Sequence, residues 1–118
     1  TLLIYSSDDA WAALSDDERS RLHEEYGAFT QELIASGALQ GGEQLQPSSS
    51  ATSVRVRNGE TLTTDGPFAE TKEHLAGFYL IEAASLDEAL AWAAKVPSVR
   101  FGTIEVRPVV PSPVEASA

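Results

Sequence analysis

The sequence predicts an α+β domain built as β-α-β, an inserted β-hairpin, and a second β-α-β, which is the ferredoxin-like antiparallel pattern. Three observations carry that reading. Two apolar runs, Leu2-Leu3-Ile4-Tyr5 and Gly77-Phe78-Tyr79-Leu80-Ile81, have the character of strands buried on both faces. Each run is followed by a capping box that opens a helical stretch, Ser15 with Glu18 and Ser85 with Glu88. Between the halves stands Asn58-Gly59, flanked by alternating residues, the strongest short signal for a hairpin.

The elements follow in order. After the first strand comes an Asp-rich loop, then a helix with Leu22, Tyr26, Phe29 and Leu33 on one apolar stripe. Its acidic first turn complements the helix dipole, and Gly37 ends it by supplying a left-handed residue. Residues 38–45 read as a second strand in which Gly41-Gly42 marks a bulge or a close backbone approach. Pro47-Ser48-Ser49-Ser50 is a loop. Val54 and Val56 alternate with Arg55 and Arg57 up to the hairpin turn, and the return strand is broken by Asp65-Gly66-Pro67. The second helix is Ala-rich, is expected to turn Leu86, Leu90 and Ala93 inward, and must stop before Pro97. Ile104, Val106 and Pro108 alternate with charged residues in a last strand. The domain is therefore placed at residues 1–109, with a flexible tail over 110–118. Because Thr1 falls inside a strand-like run, a short native lead is expected to precede it.

Composition narrows the chemistry. A chain of 118 residues has room for one core, and 42% hydrophobic with 22% charged residues is ordinary globular usage. The net charge of −10 repels phosphate backbones, and no Lys/Arg cluster makes a local exception, so direct nucleic-acid binding is disfavoured. Without cysteine there is no disulfide, thiolate nucleophile or Cys-type zinc site. No run approaches the roughly 20 apolar residues of a membrane span, and the start lacks the pattern of a signal peptide. The expectation is a cytoplasmic chain without membrane association. Two helices cover one face of such a sheet, yet its central strands are apolar on both. A second subunit is the cheapest cover, so a homodimer with sheets packed face to face is expected.

The segment Asp65-Gly66-Pro67-Phe68-Ala69-Glu70-Thr71-Lys72-Glu73 is similar to the one that names the DGPF family, a branch of the YCII-related proteins. Tyr26-Gly27-Ala28-Phe29, Gly41-Gly42-Glu43, Gly77-Phe78-Tyr79-Leu80-Ile81 and Ile104-Glu105-Val106-Arg107-Pro108 extend the likeness over residues 2–109. The resemblance implies a ferredoxin-like fold, a dimeric α/β barrel and a bacterial cytoplasmic setting, with no assigned activity. It also implies an association with transcription, since such proteins occur beside or fused to sigma-factor-like proteins; association is not mechanism. The wider group is linked to catalysis through a His–Asp pair. Counting along this chain puts Tyr26 at the position of that His and Val96, before Pro97, at that of the Asp. The pair is not carried over.

What chemistry remains concentrates in the DGPF-like segment. Asp-Gly-Pro is good turn material, and Phe68 can plug a core. Yet Asp65, Glu70, Lys72, Glu73 and His74 crowd carboxylates, an ammonium and an imidazole into ten residues, a set able to do acid–base work. Asp65, His74, Glu70 and Lys72 are the catalytic candidates, and Tyr26, Phe68 and Arg55 the ligand-binding ones. The competing reading of such a charge run is a solvated loop. His23, at the edge of the apolar stripe, reads as an amphipathic surface residue. No metal-ligand spacing, Walker, Rossmann or GxSxG motif occurs, so no metal or cofactor is expected. Two readings stand. One is a dimer that binds a small organic ligand in a cleft, with acid–base chemistry available. The other is a non-catalytic regulatory module that meets a transcription-associated protein partner. A pocket of about 300 Å³ or more beside the DGPF-like loop favours the first, and charged side chains all pointing to water favour the second.

Overall fold

The computed structural model describes residues 1–67 and 72–111. Strand β1 (Leu2–Ser6) is followed by two helices, α1 (Asp8–Ala12) and α2 (Asp16–Ser36). Next come β2 (Leu39–Gln44), β3 (Thr52–Arg57), β4 (Glu60–Asp65), β5 (His74–Ile81), α3 (Leu86–Lys95) and β6 (Thr103–Val106). Short 3-10 turns occupy Ser48–Ser50 and Pro97–Arg100. The chain is a mixed α+β domain. Its main sheet has the order β2-β5-β1-β6 with antiparallel neighbours, an arrangement compatible with the ferredoxin-like pattern.

Local chemistry explains most of these boundaries. Ser15 accepts from the Glu18 N–H while the Glu18 carboxylate accepts from the Ser15 N–H, so the expected capping box closes. That backbone hydrogen bond, helped by the Ser15 side chain, holds the Glu18 carboxyl below its ordinary value. Gly37 ends α2 at φ 78, the left-handed conformation that glycine adopts without a Cβ penalty. Asn58 and Gly59 take φ 53 and 80, as a two-residue hairpin turn demands. A Cβ at Gly42 would meet the Phe78 carbonyl oxygen at 2.6 Å, so the glycine pair admits the close approach of β2 to β5. The Asp-rich stretch is more ordered than the expected loop: Ser7 caps the one-turn helix α1 by accepting from the Ala10 N–H.

Both long helices lie on one face of the sheet. Leu22, Phe29 and Leu33 of α2 are buried, and Phe29 meets Tyr79 and Trp92 edge-on at centroid separations of 5.4 and 6.1 Å. The expected inward set of α3 needs correction. Ala93 is buried, but Leu86 and Leu90 are 61% and 47% exposed. Trp92 instead packs against the core with Val96, which is fully buried.

Register sorts the sheet residues by face. Leu2 pairs with Tyr79 and Ile4 with Gly77 on the helix side, whereas Leu3 pairs with Phe78 and Glu105 on the other side. Leu3, Tyr5, Phe78 and Leu80 thus form an apolar strip on the face without helices, and all four keep partial exposure. Leu45 and Leu75, at one end of this strip, are 41% and 38% exposed. The β3–β4 hairpin does not join the main sheet. It forms a separate two-stranded ribbon tied at its base by Gly66 N–H to Ala51 O (2.6 Å) and Ser53 Oγ to Gly66 O (2.8 Å).

Candidate functional site: a groove where the hairpin leaves the sheet

At one end of the main sheet, β1 finishes as β5 begins. The pairing of β1 with β5 slips between Ile4 and Tyr5, so Tyr5 stands opposite Leu75 and Ser6 opposite His74. Such a bulge re-aims side chains and is over-represented beside functional sites. The 3-10 turn Ser48–Ser50 approaches this end, and Ser48 Oγ donates to Asp8 Oδ2 at 2.7 Å, tying the turn to α1. Between sheet, turn and hairpin base lies a groove of about 600 Å³, open to solvent. Its wall is mostly apolar, with Tyr5, Leu45, Pro47, Ala51, Pro67 and Leu75, and its polar side chains are those of Gln46, Ser48, Ser50, Glu73 and His74.

Pro67 and Glu73, from the two described ends of the DGPF-like segment, line the groove together with the adjacent His74. Of the sequence candidates, His74 is a half-buried lining residue. Asp65 is the last residue of β4, exposed, opposite Thr52; Lys72 is exposed as well, and neither lines the groove. Glu70 and Phe68 lie outside the described residues. Arg55 sits mid-hairpin opposite Leu62. Tyr5, which the sequence places in a strand buried on both faces, is a half-buried wall residue of the groove instead. Alternation along β1 puts Tyr5 on the face of Leu3, and the extra β5 residue, Ala76, brings Leu75 opposite it, which only the pairing reveals.

Tyr26 belongs to another place, the contact between α2 and the Pro97–Arg100 turn. Its hydroxyl shares a hydrogen bond with Ser98 Oγ, a side chain that is itself buried. Alongside, the Tyr79 hydroxyl donates to Thr30 Oγ1 (2.9 Å), which donates in turn to the Tyr26 carbonyl (2.9 Å). Burial pushes the Tyr26 hydroxyl above its ordinary pKa, with the Ser98 hydrogen bond opposing in part. A phenol held in its neutral form is suited to bracing two elements. Glu25 and Arg100 reinforce the same contact with an ion pair of 3.0 Å. Replacing Tyr26 by Phe is expected to cost about 1–3 kcal/mol, because the Ser98 hydroxyl loses its partner in a buried setting. Urea unfolding of Tyr26→Phe and of Tyr26→Phe/Ser98→Ala checks this, the double variant regaining part of the loss.

Among the described residues, no three His, Cys, Asp or Glu side chains stand close enough to hold a metal ion, and no helix is long and apolar enough to cross a membrane.

Fold and site together define a two-layer α+β domain with one sheet face under helices, the other uncovered, and a groove at the hairpin base. A family model described as the YCII-related domain matches residues 1–113. An uncharacterized protein of Rhizobium meliloti (strain 1021) is 40% identical over 110 residues, 92% of this chain and 89% of that protein. The chain belongs to the YCII-related family.

Proposed function

We propose that this chain works as a cytoplasmic homodimer of the α/β-barrel type that binds a small organic ligand in the groove beside His74. The groove carries the reading. At about 600 Å³ it falls in the range of small-molecule sites, with an apolar wall and a few polar groups at one end. His74 and Glu73 bring an imidazole and a carboxylate to that wall, a pair able to pass a proton to or from a bound ligand. Tyr5 offers a ring for stacking and Ser48 and Ser50 offer hydroxyls. Dimerisation through the uncovered sheet face is supported by the apolar strip Leu3, Tyr5, Phe78 and Leu80.

A ligand thermal-shift screen tests the groove. Ligands at about 100 times their dissociation constant are expected to stabilise the chain by about 2.7 kcal/mol. The shift should vanish in His74→Gln and in Ser50→Arg, which puts a long side chain into the groove, and persist in Asp65→Ala. Hits that stabilise His74→Gln and Ser50→Arg as strongly as the parent chain would place the site elsewhere. One observation favours the second reading, a regulatory module acting through a transcription-associated protein partner: Leu86 and Leu90 form an exposed apolar pair one turn apart on α3. If that reading holds, Leu86→Lys/Leu90→Lys abolishes partner binding and leaves the ligand response untouched.

A further inference from the structure

We infer that the groove is completed by a second copy of the chain, whose β3–β4 hairpin reaches across as an arm and supplies the missing wall. This rests on the groove being the ligand site and on the dimer proposed above, and adds what the arm does there.

The hairpin is the first ground. Every residue of β3 and β4 is exposed except Ser53, which is half-buried, and the ribbon pairs only with itself among the described strands. A lone two-stranded hairpin is marginal in water. Register puts Val54 opposite Thr63 and Val56 opposite Thr61, giving one face of β-branched residues. Val54 and Val56 are 61% and 57% exposed. Such a face suits a strand surface that is covered, not one that stays wet.

The second ground is the groove's own wall. Tyr5, Leu45 and Leu75 line it and also belong to the uncovered sheet face. The groove is thus continuous with the surface on which a second copy would sit. Its solvent side is the side such a copy would close.

The third ground is size. Four strands spaced about 4.8 Å and about five residues deep give the sheet a footprint of roughly 300 Å². A standard interface needs roughly 800 Å² per partner. Adding one face of a six-residue hairpin, roughly 200 Å² more, brings the total to the required order once side-chain relief is counted. The sheets alone fall short. In a two-fold arrangement the exchange is reciprocal, each arm covering the other subunit's groove mouth near Leu45 and Leu75.

The absence of cysteine makes the test clean. Val56→Cys and Leu75→Cys are prepared as separate chains, both at exposed positions, and the fold of each is checked by circular dichroism. The chains are mixed, allowed to exchange subunits, and treated with a short bismaleimide linker. A covalent heterodimer in the mixture, with little adduct from either chain alone, is the expected result. No adduct in the mixture overturns the arm, as does an adduct from Val56→Cys alone, which would put the two arms against each other. Val54→Lys/Val56→Lys is expected to turn the dimer into a folded monomer by light scattering. A parent chain that is monomeric at micromolar concentration, or a variant that dimerises as well as the parent, overturns the inference. Failure of the groove reading looks different: the heterodimer forms, but no ligand stabilises the chain.

Discussion

Replacing Leu33 by alanine is expected to lower stability by about 2–5 kcal/mol, enough to consume much of a small domain's margin. Leu33 has no solvent exposure and packs with Leu2, Phe29, Ala38 and Val96, where α2 meets the sheet. Truncation removes the transfer free energy of the lost atoms. It also leaves a cavity that Leu2 and Val96, both fully buried, have little freedom to fill. The next residue supplies the control. Ile34 is 52% exposed, so Ile34→Ala should change stability by no more than about 0.5 kcal/mol. Urea unfolding of the two variants measures the contrast, and a similar loss in both would contradict this account of the core.

The second large effect is expected at Gly102, which leads from the Pro97–Arg100 turn into β6. A Cβ there would lie 2.4 Å from the Tyr5 carbonyl oxygen and 3.3 Å from that of Ser98. Both are backbone atoms, and the Ser98 oxygen already accepts from the Gly102 N–H at 2.9 Å. Gly102→Ala must therefore push β6 away from β1, at about 1–3 kcal/mol. The consequence reaches the groove, because β6 pairs with β1, the strand that carries Tyr5. A loss of stability together with weakened ligand response is the expected pair of results, read by thermal unfolding with and without a screening hit. Gly27, where an added Cβ meets nothing within 4 Å, serves as the control. As a helical position it gains from alanine's propensity, so Gly27→Ala should stabilise by roughly 0.5–1 kcal/mol.

The family was legible from the DGPF-like segment and its flanking runs, because a nine-residue pattern is specific in a way that periodicity is not. The candidate site was legible only in part. The crowding of ionisable groups from Asp65 to His74 drew attention to a stretch of chain of which Pro67, Glu73 and His74 line the groove. It could not separate His74, which reaches the groove, from Asp65 and Lys72, which face water. That separation depends on where β4 ends and β5 begins relative to β1, a long-range matter. Tyr26 shows the same limit. The apolar stripe placed it correctly on the core side of α2, but its partner Ser98 lies 72 residues away.

By itself, the sequence determined the features whose causes are local. Ser15 with Glu18, Gly37, and Asn58-Gly59 satisfy or turn the backbone within a few residues, so caps, helix end and hairpin could be read directly. Tertiary structure decided which of two equally periodic faces is buried. On α3 the spacing permits either Leu86 and Leu90 or Trp92 and Val96 to face inward. The second pair wins because Trp92 meets Phe29 edge-on and Val96 fills the space beneath α2. It also decided that the hairpin stands apart from the sheet and that Tyr5 lines a groove. Both follow from strand pairing, whose register is a balance among residues far apart in the chain, and no local pattern records it.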